Sequence, residues 1–362
     1  MARLAARYGP RAVYLPFIQS FGMRIAINGM GRIGRLLARR LLGLKGMGLK
    51  GIGLKGIDLV AVNDIMDSEN LAYLLRYDSI YGPLPEPVLC RDGRLSVGSW
   101  SLPVFREEDP AKLPWGDLGV DIVLECSGRF TTGERAAIHL AAGARKVLLS
   151  TTGSADIPLM IYGFNHGTLT TDSPVISPGG CMTNCCTPIL SLLEEIGIEA
   201  VQINILHSYT SRQELVDAPH RQFRRGRAAA ESIIPVEIDL NVSLERLIPS
   251  LRGRIAAVST RVPVANGAMA DFTVQFRSPV DVQEINRLFG KAAEGAYKGI
   301  IGYNTEGLVS LDIKANTHSC VLDGTLTSTA GRLMKIIAWF DNEYGYTSRM
   351  IDWLYYWEKH IQ

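Results

Sequence analysis

The sequence predicts an α/β protein in which a doubly wound parallel sheet comes first and a second domain follows. Three observations carry this. A strand-like run, Arg24–Asn28, passes through a glycine-rich turn into a helix-like run, Leu36–Leu42. Strand and helix signals then keep alternating as far as Ser150, the rhythm of a parallel sheet covered on both faces. Finally, 362 residues make more than two domains at about 150 residues each.

Residues 1–22 hold Arg3, Arg7 and Arg11 and no acid. They lack an apolar run ending in a small-residue cleavage site, so they do not read as a secretion signal. The basic, acid-free composition matches an organellar transit peptide. The simpler expectation is a mis-assigned start, with translation beginning at Met23 directly before the first strand.

Between strand and helix stands Gly29-Met-Gly31-Arg-Ile-Gly34, a GxGxxG motif in the context that gives it meaning. The first glycine permits a tight turn, the second lets backbone approach a pyrophosphate, and the third lets helix pack on strand. The helix N-terminus offers unpaired N–H groups to phosphate. This is a Rossmann-type dinucleotide site.

Next come three near-copies, Gly43–Met47, Gly48–Ile52 and Gly53–Ile57. A period of five fits neither helix nor strand, and two glycines per copy oppose a helix. The repeat reads as a loop expanded by about ten residues beyond a compact connection. It lies between helix and second strand, at the sheet edge away from the strand C-termini, where growth spares a dinucleotide site. The second strand, Leu59-Val-Ala-Val-Asn63, ends at Asp64. Without the surplus loop residues, Asp64 follows Gly34 by about the twenty expected of a ribose-binding acid. Such an acid accepts from a ribose 2′-OH and repels a 2′-phosphate, which favours NAD over NADP; a plain turn acid is the alternative. Val120–Glu125 and Lys146–Ser150 are further strands, with helical signal over 132–142. His139, on an apolar helix face there, reads as a core histidine.

A hydrophobic fraction of 47% with 20% charged residues is ordinary globular composition and excludes disorder. No run approaches the 18 or so apolar residues of a membrane helix. Residues 23–362 hold 35 basic and 36 acidic residues, which gives no electrostatic footprint for nucleic acid or an anionic membrane. Six cysteines are spread along the chain without a CxxC pair. Zinc and thioredoxin-like readings fall away, no metal is expected, and free thiols in the reducing cytoplasm are the simplest account.

Three of those cysteines crowd into Cys181-Met-Thr-Asn-Cys185-Cys186, directly ahead of the helical Ile189–Glu195. Cys181 falls where the chain enters the helix, and a helix N-terminus stabilises a thiolate. Cys185 and Cys186 fall one turn later, where a helix buries them, and an i, i+4 pair is poorly aimed for a disulfide. Alone, a cysteine here reads as structural. The strand-like Val201–Leu206, however, ends in His207. A nucleotide fold followed by a helix-entry thiol and a strand-end imidazole makes a Cys–His dehydrogenase pattern.

From Met23 to the C-terminus the chain resembles the glyceraldehyde-3-phosphate dehydrogenase superfamily. The residues that carry the likeness, in order, are Asn28–Arg35, Cys181-Met-Thr-Asn-Cys185, His207-Ser-Tyr-Thr210, Asp217-Ala-Pro-His220, Arg224-Arg-Gly-Arg227, Ile233-Ile-Pro235, Arg261-Val-Pro263 and Trp339–Gly345. Within the superfamily, Leu113-Pro-Trp115, Ser232–Val236, Leu308–Asp312 and His318–Thr325 look most like the erythrose-4-phosphate dehydrogenase branch.

The resemblance implies an NAD-binding domain over 23–180 and an α+β catalytic and oligomerisation domain, with a mixed or antiparallel sheet, over 181–341. It implies a C-terminal helix over 342–362 that packs on the NAD-binding domain. It further implies a homotetramer acting on a phosphorylated sugar aldehyde. Cys181 matches the nucleophile and His207 its base. With the loop glycines Gly29, Gly31 and Gly34, Arg32, Ile33 and Asp64 match dinucleotide contacts. Ser150 matches a cofactor-side contact, and Asn342 the residue that orients the nicotinamide amide. Thr210, Arg225 and Arg261 match groups that hold substrate phosphate. Residues 207–235, including the basic run Arg221–Arg227, match the segment that lines the cofactor cleft and builds the tetramer.

Departures from the family pattern bear on the acyl acceptor. Gly180 and Met182 stand where the family carries serine and threonine hydroxyls beside the nucleophile. Ile238-Asp239 stands where it carries a Thr-Gly pair that cradles the attacking phosphate. An acid there opposes an anion by Coulomb repulsion. Arg212 replaces a family acid near substrate phosphate and would attract it instead. The expectation is a thiohemiacetal and thioester on Cys181, released by water. Phosphorylating glyceraldehyde-3-phosphate dehydrogenase and an NAD-binding paralogue of low activity are the alternatives.

Overall fold

The structure, a computed structural model, describes residues 22–43, 56–169 and 173–360. Residues 1–21 of the leader and 44–55 of the repeat lie outside the described residues. The first unit comprises β1 (Met23–Asn28), α1 (Arg32–Leu41), β2 (Ile57–Asn63), α2 (Ser68–Arg76), β3 (Val88–Arg91), β4 (Arg94–Val97), β5 (Trp100–Phe105), β6 (Ile122–Glu125), α3 (Gly133–Ala136), α4 (Ile138–Ala141), β7 (Lys146–Leu149) and β8 (Val175–Ile176).

Its sheet runs β3-β4-β5-β2-β1-β6-β7-β8. From β5 to β8 every pairing is parallel. The strand order reverses at β1, which has β2 on one side and β6 on the other, and a crevice opens at their C-terminal ends. The expected parallel sheet is present, and beyond β5 the strands β4 and β3 extend it as an antiparallel edge that the alternation of signals did not reveal. The helical signal over 132–142 resolves into α3 and α4, which meet at Ala137. Gly56, in the last copy of the repeat, accepts from the Met23 N–H at 2.8 Å. The exit of the repeat is thus at the N-terminal edge of the sheet, away from the crevice.

The second unit comprises α5 (Cys181–Glu194), β9 (Ile198–Ser208), β10 (Ile234–Val236), α6 (Leu240–Leu247), β11 (Ile255–Val262), β12 (Ala268–Phe276), α7 (Val282–Glu294), β13 (Ile301–Asn304), β14 (Cys320–Asp323), β15 (Ser328–Ala330) and β16 (Leu333–Phe340). Its sheet runs β10-β11-β9-β12-β16-β14-β13, with β15 also on β16. It is mixed: β9 pairs β11 and β13 pairs β14 in parallel, the rest antiparallel. β12 shows why this sheet has one core face, since Ala268, Ala270, Phe272, Val274 and Phe276 alternate inward along a period of two. They pack with Cys185, Ile189 and Leu193 of α5.

The last helix, α8 (Tyr344–His360), returns to the first unit. Met350, Trp353, Leu354 and Trp357 join the core built by β1, α1 and β2. Asp341 fixes its start. This buried carboxylate accepts from the N–H groups of Glu343 and Tyr344 at 2.9 and 2.8 Å, from Tyr81 Oη at 2.8 Å and from the Ala315 N–H at 2.8 Å. So many donors offset the cost of burying the charge and tie both units to one residue. Among the described residues no helix is long and apolar enough to cross a membrane.

Candidate active site

Gly179, at φ +75°, turns the chain into α5, and Gly180 caps the helix without a side-chain acceptor. Cys181 is therefore its first residue. Asn184 Nδ2 donates back to the carbonyls of Pro178 and Gly180 at 2.7 and 2.9 Å, holding the turn against the helix. Tyr346 Oη, from α8, donates to the Gly179 carbonyl at 3.0 Å. His207, near the end of β9, lies between Arg261 on β11 and Ala268 on β12. These constraints bring Cys181 Sγ to 3.7 Å from His207 Nε2. Cys181 also packs against the cores of both units, so the pair sits on the seam between them.

Burial works against charge on both partners. The Cys181 thiol is pushed up to about 11: loss of water outweighs the Arg261 charge and the N–H groups at the start of α5. His207 is pushed down to about 3 by burial and by the adjacent Arg261. The helix terminus alone led us to expect a stabilised thiolate; in the fold, desolvation wins, and the resting pair is neutral thiol with neutral imidazole. His207 Nδ1 has the Ser208 carbonyl at 2.7 Å and Arg261 Nη1 at 2.5 Å. Arg261 Nη1 also lies 3.2 Å from the Ser208 carbonyl, so in the tautomer with the proton on Nδ1 both groups donate to that oxygen, and Nε2 is bare and free to accept a proton.

The glycine turn has the form of a dinucleotide cradle. A β-carbon on Gly29 would lie 2.4 Å from the Ser127 nitrogen, and one on Gly34 would lie 2.0 Å from the Gly29 carbonyl oxygen. Around Gly31 nothing lies within 4 Å of that position. Two glycines thus close the turn and the middle one opens onto space where a pyrophosphate fits. Gly31 caps α1 with no side-chain acceptor and no acid follows in the first turn, so the N–H groups of Arg32 and Ile33 suit an anion. Asp64 lies beside the turn, its two oxygens accepting from the N–H groups of Met30 and Met66. Ser150 follows β7, its hydroxyl against the Cys126 thiol. Asn342 Oδ1 accepts from Ser208 Oγ at 3.2 Å and the Gly267 N–H at 2.9 Å, which leaves Nδ2 as the donor for an incoming amide.

Comparisons with known proteins agree with this geometry. Residues 23–133 match the family described as glyceraldehyde 3-phosphate dehydrogenase, NAD binding domain, and residues 180–342 match its C-terminal domain. Glyceraldehyde-3-phosphate dehydrogenase 1 of Streptomyces avermitilis is 39% identical over 332 residues, 91% of this chain and 97% of the relative. Glyceraldehyde-3-phosphate dehydrogenase 2 of Streptomyces arenae is 40% identical, and the plasmid glyceraldehyde-3-phosphate dehydrogenase of Cupriavidus necator 39%, over the same shares. The chain belongs to the glyceraldehyde-3-phosphate dehydrogenase family. It is an NAD-dependent oxidoreductase with that family's NAD-binding domain.

Of the residues matched to substrate phosphate in this family member, Arg261 is buried against His207, with Nη1 also 3.2 Å from the Ser208 carbonyl. Thr210 Oγ1 accepts from the Arg212 N–H at 3.3 Å, and Arg225 Nε donates to Gln222 Oε1. The Arg32 side chain is engaged away from the turn. It grips Glu343 through Nε and Nη2, at 2.8 and 2.6 Å, and Asp78 through Nη1 at 2.8 Å. Only its backbone is left for a dinucleotide. Sequence reasoning also missed a buried network behind the turn. Trp115 Nε1 donates to His139 Nδ1 at 3.1 Å, so His139 Nε2 donates to Glu125 Oε2 at 2.9 Å, which also accepts from Asn28 Nδ2 at 2.6 Å. The signal was available in Glu125, an acid closing an otherwise apolar strand.

Two predictions follow from this geometry. Gly31→Ala should keep the wild-type melting temperature but lose NAD affinity, whereas Gly34→Ala should lose both, read by calorimetry and NAD titration; equal behaviour would refute the cradle. Removing the Arg261 cation with Arg261→Met should raise the thiol further. Carbamidomethylation of Cys181 at pH 8 should then slow about tenfold, one pKa unit, and an unchanged rate would show that Arg261 does not act on the thiol.

Proposed function

We propose that the protein oxidises a phosphorylated sugar aldehyde, erythrose-4-phosphate or glyceraldehyde-3-phosphate, through a Cys181 thiohemiacetal and thioester released by water. The observation that carries the reading is the Cys181–His207 pair at 3.7 Å, set between the glycine turn and an arginine-bearing segment. The Cys181 sulfur adds to the aldehyde carbon, while the thiol proton reaches the carbonyl oxygen by way of His207 Nε2. His207 then takes the thiohemiacetal hydroxyl proton as hydride leaves the same carbon. NAD, when bound, supplies the hydride acceptor. His207 then releases the hydroxyl proton to solvent and, neutral again, takes one from water as its oxygen adds to the thioester carbon; the C–S bond breaks, the free acid leaves, and Cys181 recovers the proton from His207.

In this reading Gly29, Gly31, Gly34 and the backbone of Arg32 and Ile33 hold the pyrophosphate, and Asp64 holds a ribose. Ser150 and Asn342 serve the nicotinamide side; Thr210, Arg225 and Arg261 hold substrate phosphate. Residues 23–180 with the helix over 342–362 form the NAD-binding unit, and 181–341 the catalytic one. A homotetramer is supported by exposed apolar side chains on the 207–235 segment, Leu215, Val216, Ile233 and Phe223, the last 90% exposed. Six free cysteines support a cytoplasmic location.

Release by water is favoured because Gly180 and Met182 bring no hydroxyl to the nucleophile, and Asp239 stands exposed at the start of α6. Phosphate as acceptor is the second reading. It is favoured by Thr152, whose Oγ1 lies 4.0 Å from the place of a Gly180 β-carbon, and by the names of the relatives. NADH formation by the full chain with either sugar, with and without inorganic phosphate, separates the two. Phosphate-independent turnover abolished in Cys181→Ala supports hydrolysis, and strictly phosphate-dependent turnover overturns it. NAD binding with no turnover of either sugar points to the low-activity paralogue. Since the space at Gly180 admits a side chain, Gly180→Ser with Met182→Thr should shift a hydrolytic enzyme toward phosphate dependence.

A further inference from the structure

At the end of the second sheet away from the thiol, the starts of β9, β11 and β16 meet the end of β12. Arg254, Arg277 and Arg332 adjoin three of these strand ends and, with Glu199, line an open cleft of about 390 Å³. The backbone holds two of the guanidiniums in place. Arg254 Nη1 donates to the Ile198 carbonyl at 3.3 Å, and Arg332 Nη1 faces the carbonyls of Phe276 and Arg277 at 3.5 and 3.4 Å. Gly197, at φ +109°, clears room for the third, since the place of a β-carbon there is 3.6 Å from Arg277 Cδ. The one acid is already engaged: Glu199 Oε2 accepts from Arg332 Nη1 at 2.7 Å and from Gln275 Nε2 at 2.9 Å. Among the described residues no carboxylate pairs with Arg254 or Arg277, so three cations face one anion and two positive charges stay unmatched. Like charges drawn from separate elements repel one another, and guanidiniums fixed in advance suit phosphate oxygens, which they bind through paired N–H groups.

We propose that this cleft binds a small solute carrying two or more linked phosphates, a diphosphate or triphosphate group. Two unmatched cations call for at least two negative charges. The volume falls within the roughly 300–1,000 Å³ of small-molecule sites, and no aromatic side chain lines the cleft to stack on a base. The phosphate chain alone is therefore recognised. Residues 23–362, with 35 basic and 36 acidic residues, supply no broader basic footprint for nucleic acid. Glu199 and His207 stand eight residues apart on β9, about 26 Å at the rise of a strand, so a solute here does not touch the thiol or its substrate.

Calorimetric titration of the full chain with inorganic tripolyphosphate tests the site, with NAD present at saturation so that the cofactor turn is filled. Tripolyphosphate should bind about tenfold or more tightly than sulfate, and more weakly as salt is raised. Arg277 is exposed and Arg254 half-buried, so neither substitution opens a hole in the core. Arg277→Ala and Arg254→Ala should each weaken binding about tenfold, the loss of one charge-assisted hydrogen bond, at an unchanged melting temperature. Arg277→Lys should recover part of that loss. Arg94→Ala removes an exposed cation from β4 of the first unit and should bind like the wild type. Unaltered binding in Arg277→Ala, an equal loss in Arg94→Ala, or sulfate held as tightly as tripolyphosphate would each overturn the site. Vesicles of phosphatidylcholine with phosphatidylinositol bisphosphate tell a free solute from a lipid headgroup. Sedimentation with them that depends on Arg277, without tripolyphosphate binding, would overturn the small-solute assignment. Turnover plays no part in these readouts, so their failure leaves the proposed function standing.

Discussion

A buried guanidinium without a carboxylate underlies the chemistry of this site. Arg261 donates from Nη1 to the neutral Ser208 carbonyl and lies against the His207 ring, and it is itself pushed down to about 10 by burial. Burying a cation in this way is costly, and a structure keeps it only where its surroundings impose it. The parallel register of β9 on β11 does so here, since it sets Arg261 directly beside His207. A slip of one residue would turn Arg261 to the opposite face and dissolve the arrangement. From that one placement follow a neutral imidazole, a partial offset to the burial of the thiol, and a demand for an anion.

The second constraint is the seam. Cys181 touches both cores because α5 opens the second unit at the point where α8 closes back on the first. Tyr346, Asp341 and Glu343 all belong to the start of α8 or the residues before it, and each holds a different part of the cleft. Tyr346 steadies the thiol turn, Asp341 ties Tyr81 to Ala315, and Glu343 clamps Arg32 at the cofactor turn. For Arg32, burial opposes the charge, but the hydrogen bond and attraction of Glu343, with those of Asp78, outweigh it and raise its pKa. Asn342 lies between Asp341 and Glu343, so the residue proposed to meet the nicotinamide amide is fixed by the same hydrogen bonds that join the units.

What the sequence disclosed was local or combinatorial. The glycine turn was legible because the spacing of the three glycines between strand and helix is itself the signal, and the space around Gly29, Gly31 and Gly34 differs as that spacing implies. Cys181 and His207 were legible only together, since a lone cysteine or histidine has structural uses. The antiparallel edge of the first sheet was not read, because short strands such as β3 and β4 carry too few residues for a clear period. The engagement of the Arg32 side chain was not read for a different reason: its partner Glu343 is 311 residues away, and no local pattern announces that clamp. The thiol's resistance to ionisation was equally invisible, because the helix terminus can be seen in sequence and the depth of burial cannot.

If the proposed function holds, those electrostatics give the site a direction. In the free protein Arg261 repels the proton that His207 must take up, and burial adds to the effect. On that reading a substrate phosphate held by Arg225 and Arg261 would offset the positive charge, and Coulomb's law fixes the sign: the imidazole would become more basic with substrate in place. The base thus gains strength at the step that needs it. Since kcat reports the bound complex and kcat/KM the free enzyme, the acid limb of kcat for a phosphorylated aldehyde should lie at higher pH than that of kcat/KM. With an unphosphorylated aldehyde the two limbs should draw together. Coincident limbs for both substrates would mean that the phosphate charge never reaches His207.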